Sequence, residues 1–281
     1  MPSITELQNT ATQVRRDIMR MINTSNSGHP GGSLGCADYL TTLYFEIMKP
    51  DAGNFSINGK GEDLFFLSNG HIAPVWYSVL ARYGFFDTKE LGTLRKLGSR
   101  LQGHPSTHDG LPGIRIASGS LGQGLSVAIG AALTKKLNKD PHLVYCLMGD
   151  GELEEGQNWE ALMFGAGKKV DNIIAAVDYN GQQIDGTVTD VIGLTNLRGK
   201  FEAFGWEVLE MNGNDIPDIL KIMGEAKVLT GKGKPVMIVM HTHMGFGVDF
   251  MMDNHQWHGV APNDEQLEKA LGQLTSTVGD Y

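Results

Sequence analysis

The chain has 281 residues, with 23 Lys and Arg against 32 Asp and Glu, for a formal charge of −9. That acidic balance argues against nucleic acid as a partner, since phosphate backbones are held by clustered Lys and Arg. No apolar run approaches the ~18–20 residues needed to cross a bilayer, and Met1 to Leu7 lack the charged and apolar regions of a signal peptide.

Helical patterns are predicted over Glu6–Asn23 and Ala37–Met48, followed by a short apolar strand at Asp63–Ser68 and helices at Ile72–Tyr83 and Leu121–Leu137. Strands then fall at His142–Met148 and Asn172–Asp178, with a helix over Gly156–Lys168 between them. A strand at Trp206–Met211, a helix at Asp215–Leu229 and a strand at Pro235–Met240 follow, and Asn263–Leu271 forms a closing helix. The last few residues are expected to fray. Each strand is nearly continuous in apolar character, as expected for strands covered on both faces. The alternation implies an α/β fold, a mostly parallel sheet with helices on both faces, in one domain over residues 1–281. Cys36 and Cys146 lie in apolar stretches and read as buried thiols, so the chain is expected to be soluble and cytoplasmic.

Ligands of open α/β sheets bind beyond the carboxyl ends of the strands. Here those ends run into Ser68-Asn69-Gly70-His71, Gly149-Asp150-Gly151, Asp178-Tyr179-Asn180-Gly181 and His241-Thr242-His243. Asp-Gly alone is a common turn. Joined to a strand-end Asn about thirty residues later, it suits Mg2+, which takes one or two protein oxygens and the rest from water and phosphates. Glycine makes up 37 of 281 residues, about 13% against a usual ~7%, without a period, and so marks backbone that approaches something closely. Gly119-Ser120-Leu121-Gly122-Gln123-Gly124 misses the dinucleotide fingerprint by one residue, and no P-loop is present. The backbone amides at the start of the helix after this segment are expected to face a ligand. His29, His71, His104 and His258 each sit beside Gly or Pro, in contexts that suit either imidazoles held at a site or loop hydrogen bonds to backbone. His241 and His243 share a face of a strand but have no third ligand, and read as non-metal.

Together these residues resemble the amino-terminal half of transketolase, a thiamine diphosphate enzyme. The resemblance runs from Ser27-Gly28-His29-Pro30-Gly31-Gly32-Ser33-Leu34-Gly35 to Trp257-His258-Gly259-Val260-Ala261-Pro262. Between them, Gly149-Asp150-Gly151-Glu152-Leu153-Glu154-Glu155-Gly156 opens the thiamine diphosphate signature and Asp178-Tyr179-Asn180 closes it. The two Gly-His-Pro segments and the final His-Gly are specific to transketolase-like members. One departure is Ser120, where the family usually has Pro.

The resemblance implies thiamine diphosphate and Mg2+ (Ca2+ or Mn2+ able to substitute), with the metal on Asp150, Asn180 and the carbonyl of Gln182. It implies His71, Gly151 and His258 at the diphosphate, and His29 and His104 beside His258 at the donor sugar. Leu121, Ile184 and Met244 correspond to the apolar wall at the thiazolium, and Gly119 to a backbone contact with the aminopyrimidine. Glu155 and Glu160 match acidic residues of a proton network towards the partner's site; a solvated helix start is the alternative for both. In the family a glutamate from a pyrimidine-binding domain activates the cofactor across a subunit interface. That domain and the carboxy-terminal domain have no counterpart before Tyr281. The expectation is therefore the amino-terminal subunit of a split transketolase, paired in a 2+2 heterotetramer with a separate carboxy-terminal subunit. Its substrates would be sugar phosphates, with neither nucleic acid nor membrane involved. Alternatives are half of a 1-deoxyxylulose-5-phosphate synthase-like or 2-oxoacid dehydrogenase-like enzyme, or a non-catalytic scaffold.

Overall fold

The structure, a computed structural model, describes residues 2–281. In chain order the elements are α1 (Ile4–Ser25), α2 (Pro30–Gly35), α3 (Ala37–Thr42), β1 (Leu64–Leu67), α4 (Ala73–Tyr83), α5 (Gly124–Leu137), β2 (Val144–Gly149), α6 (Gly156–Gly167) and β3 (Ile173–Tyr179). They continue as β4 (Gln182–Gln183), β5 (Gly186–Thr187), α7 (Val188–Val191), α8 (Leu197–Ala203), β6 (Glu207–Asn212), α9 (Ile216–Leu229), β7 (Val236–His241) and α10 (Asp264–Gln273).

Five strands form one parallel sheet in the order β1-β2-β3-β7-β6, and β4 and β5 form a separate antiparallel pair. The register sets Gly149 beside Asp178 and Tyr179 beside His241, so the carboxyl ends of β2, β3 and β7 finish level. Helices α1, α3, α4 and α9 pack among themselves in one layer, and α5, α6 and α8 in the other. Both faces of β1, β2, β3 and β7 are therefore covered, which is why their runs are apolar almost without interruption. Strand β6 departs from that expectation: it is an edge strand in which Val208 and Met211, on opposite faces, are buried while Glu210 and Asn212 are exposed.

Local chemistry sets the helix ends. Ser3 and Glu6 form a capping box at the start of α1, and Asn26 closes it with φ of 46°. Three boundaries differ from the sequence reading. The predicted helix over Ala37–Met48 changes after Thr42 into a wider π-helical turn through Met48, ending at Lys49 in the left-handed region. The helix predicted from Leu121 begins at Gly124, because Gly119 and Gly122 take φ values of 127° and 85° that no helix contains. The chain end does not fray: Asp280 accepts from Arg16 at 2.7 Å and Gln13 at 2.9 Å, and Arg20 lies over the Tyr281 ring. Cys36 and Cys146 are free and buried. No helix among the described residues is long and apolar enough to cross a membrane.

Candidate functional site

Beyond the carboxyl ends of β1, β2 and β3 lies a cavity of about 550 Å³. It gathers His29, His71, His104 and His258 from four separate loops. Gly119, Leu121, Asp150, Gly151, Glu155, Asn180, Gln182 and Ile184 line it as well. Two of the residues singled out from sequence stand elsewhere. Met244 is fully buried behind Gly31, whose missing Cβ leaves the space its side chain fills. Glu160 is exposed on α6 and is not in the cavity wall.

The His29, His71 and His258 rings form a triangle with centroid separations of 5.1, 5.7 and 5.2 Å. Burial first, and then the neighbouring His258, Arg95 and His104, push the His29 imidazole down to about 4. Burial likewise carries His71 well below its ordinary value and lowers His258, while burial and then Arg95 lower His104. At neutral pH each ring thus keeps one donor and one acceptor nitrogen. The Nδ1 atoms of His29 and His258 and the Oδ1 of Asn69 are buried without a hydrogen-bond partner. Such groups cost about 1–3 kcal/mol each unless something pairs with them, and three of them gathered at one cavity point to a ligand there.

Across the cavity stands an acidic group. Asp150 accepts from the backbone N–H of Gly151 at 2.8 Å and of Gly181 at 2.6 Å. Its carboxyl is nevertheless pushed up to about 7, first by burial and then by Asp178. Asp178, also raised by burial, accepts from Thr242 and, at 2.9 Å, from the Asn180 amide. That bond leaves the Asn180 carbonyl oxygen on the other side, where it meets the Gln182 N–H at 2.9 Å. The wall contains Asp150, Glu152, Glu154, Glu155 and Asp178, but neither Lys nor Arg.

This donor set fits a diphosphate only together with a cation. Among the described residues no cluster of three or more His, Cys, Asp and Glu could hold a metal by itself. One carboxylate, one amide oxygen and a backbone carbonyl are the incomplete oxygen set that a phosphate-bound Mg2+ completes. Glycine also fits the wall together: a Cβ on Gly119 would come within 2.6 Å of the His104 ring, and one on Gly151 within 2.4 Å of the end of the Gln183 side chain.

Sequence reasoning missed Glu152 and gave Asp178 no role beyond the motif. Glu152 is 2% exposed and accepts from Ser68, from Gly122 N–H at 2.7 Å and from Gly149 N–H at 3.0 Å. Ser68 in turn accepts from Gly124 N–H at 3.0 Å. Two amides at the start of α5, expected to face a ligand, are thus spent on bracing the loops. In sequence Glu152 looks like part of a solvated acidic run, and only the fold brings it its donors. His241 and His243 lie outside the cavity wall, paired with Glu210 at 3.3 Å and Asp253 at 2.9 Å.

The family model described as "Transketolase, thiamine diphosphate binding domain" matches residues 7–276. The chain belongs to that family. Similar proteins include an apulose-4-phosphate transketolase subunit of Phocaeicola vulgatus, 38% identical over 94% of this chain and 92% of its own length. A 6-deoxy-6-sulfo-D-fructose transketolase subunit of Clostridium sp. is 37% identical over 96% of each chain. Human transketolase is 34% identical over 97% of this chain, which spans 42% of the human protein. Among solved structures, transketolase from Campylobacter jejuni superposes with a TM-score of 0.89 at 33% identity, covering 97% of this chain and 43% of the other. The transketolase domain therefore spans less than half of these longer proteins, yet matches the separate subunits along almost their whole length.

Proposed function

We propose that this chain is the diphosphate-binding subunit of a two-subunit transketolase that moves a two-carbon ketol unit from a ketose phosphate to an aldose acceptor. One observation carries the reading: a cavity lined by carboxylates and by imidazole nitrogens without partners has neither Lys nor Arg in its wall. An anionic cofactor enters such a site only with its own cation. The full-length match to relatives named as transketolase subunits supports the division between two chains.

Asp150, Asn180 and the Gln182 carbonyl are the residues to hold Mg2+, for which Ca2+ or Mn2+ can stand in. His71, His258 and the Gly151 N–H receive the diphosphate. When bound, thiamine diphosphate supplies the nucleophilic carbon and the electron sink that ketol transfer requires. His29 and His104, neutral at pH 7, accept and return protons at the hydroxyls of the donor sugar. His258 orients the first hydroxyls. Leu121 and Ile184 give the thiazolium an apolar wall, with Met244 filling space behind Gly31, and the Gly119 backbone faces the aminopyrimidine. Glu155 and Glu160 lead towards the partner, which contributes the pyrimidine-binding domain in a 2+2 assembly.

Purification of the tagged chain from its own cells tests the reading. A stoichiometric second chain with a pyrimidine-binding domain, and ketol transfer by the pair with thiamine diphosphate and Mg2+, is the expected result. A chain that emerges alone and binds no thiamine diphosphate with Mg2+ sinks it.

A further inference from the structure

The two Gly-His-Pro loops are far apart in sequence, and one side chain bridges them. Arg95 Nη1 donates to Ser27 Oγ at 2.8 Å, immediately before Gly28 and His29. Its Nη2 donates to the carbonyl of Gly103 at 3.4 Å, immediately before His104. The Arg95 N–H is itself tied to the carbonyl of Leu101 at 2.8 Å, so the arginine is anchored on the stem of the second loop. Its φ of 59° lies in the left-handed region, which a residue with a side chain enters only against a steric penalty.

The neighbouring sequence accommodates this bridge. A Cβ on Gly103 would lie 2.8 Å from both Cζ and Nε of Arg95, so any side chain there would push the guanidinium away. Arg100 pairs with Glu90 at 2.7 Å, whereas Arg95 has no carboxylate within ion-pair distance among the described residues. Its donors go to a hydroxyl and a carbonyl, and its charge stays uncompensated beside the histidines.

We propose that Arg95 is a positioning residue whose guanidinium ties the two Gly-His-Pro loops together and so sets where His29 and His104 stand across the cavity. The inference rests on the roles given to these histidines above. A planar fork reaches two acceptors on different loops; an ammonium is a point charge and cannot span them in the same way. The charge has a second effect. Besides burial, His29 meets His71, His258, His104 and Arg95, and His104 meets Arg95, so the guanidinium helps to keep both imidazoles unprotonated.

The test uses the full chain carrying Arg95→Met or Arg95→Lys. Hydrogen exchange is followed by mass spectrometry and the histidine titrations by NMR. In Arg95→Met the amides of Ser27 and Ser118, bonded to the carbonyls of Ile22 and Pro105 beside the two Gly-His-Pro segments, should exchange about tenfold faster or more, as local opening of the two loops requires. The His29 and His104 midpoints should move upward, while the melting temperature stays near wild type. Arg95→Lys should keep the midpoints close to wild type and still lose the exchange protection. Gly103→Ala, which displaces the guanidinium without removing it, should loosen both loops as well, and it carries the test if Arg95→Met does not fold. Unchanged protection of either loop, or faster exchange spread over the whole chain, overturns the proposal. None of these readouts depends on turnover. Loosened loops in an assembled enzyme of unchanged kcat would leave the tie standing and overturn the roles assigned to His29 and His104.

Discussion

At the amino ends of β1 and β2 the chain surrounds a hollow of about 690 Å³, and at their carboxyl ends it surrounds the 550 Å³ cavity described above. Both contain buried charge, but they treat it differently. In the amino-end hollow Lys135 donates to the carbonyls of Gly59 and Glu62 at 3.1 and 2.7 Å and to Asp140 at 2.9 Å. Burial opposes ionisation of Asp140, yet the Gly61 N–H, Lys135 and His142 together hold its carboxyl well below the usual range. Buried charge there meets its opposite. At the carboxyl end Asp150, Glu152 and Asp178 are all raised by burial, no cation faces them, and imidazole nitrogens stand unpaired. Volume does not separate a site from a structural hollow; unfinished electrostatics does. Completed pairing stabilises the fold, whereas incomplete pairing lowers stability until a ligand of the right charge arrives.

The contrast is sharpest at Asp150. Asp150→Asn should weaken Mg2+-dependent thiamine diphosphate binding by two orders of magnitude or more, the scale expected when a metal loses its charged ligand. Titration calorimetry on the assembled enzyme reads this directly, and unchanged affinity breaks the assignment.

The same substitution should stabilise the ligand-free chain, with a defined pH dependence. Below the ordinary aspartate value both folded and unfolded chains are protonated at this position, and its contribution to stability is fully present. As the pH rises the unfolded chain ionises first, so stability falls until the folded value of about 7 is passed. Asp150→Asn should therefore gain on wild type between about pH 4 and 7, by on the order of a few kcal/mol. Urea unfolding at several pH values measures the difference, which also removes the opposite contribution of the buried histidines. A constant offset across that range counts against a strained carboxylate.

At the other end of the sheet, Asp140→Ala should cost about 3 kcal/mol of folding stability, because it strands the Lys135 ammonium. Cofactor affinity should not change. Weaker binding with little loss of stability would erase the distinction between the two cavities. The smallest effect is expected at Glu152. Glu152→Gln turns an amide NH2 towards one of its donors, costing about 1–2 kcal/mol, or roughly tenfold in cofactor affinity. An unaltered affinity would reduce this carboxylate to plain packing.

Much of the molecule was legible in the sequence. The strand runs fell within one or two residues of their observed bounds, because a strand covered on both faces must be apolar along its length. Twelve of the fourteen candidate residues came together, eight of them because parallel strands deliver their following loops to one edge; His29, which precedes β1, and His104, Gly119 and Leu121, between α4 and α5, were brought there by helix and loop packing. The Ser3 and Asn263 capping boxes are equally local, although the reading of the sequence did not name them. What the tertiary structure decided was pairing over long sequence separations. Glu152 collects donors from Ser68 and Gly122, Arg95 reaches Ser27, and Asp280 returns to Arg16. Periodicity carries which face of an element is buried, but a hydrogen bond depends on where two loops end in space, and that is set only when the sheet and its two helical layers have packed.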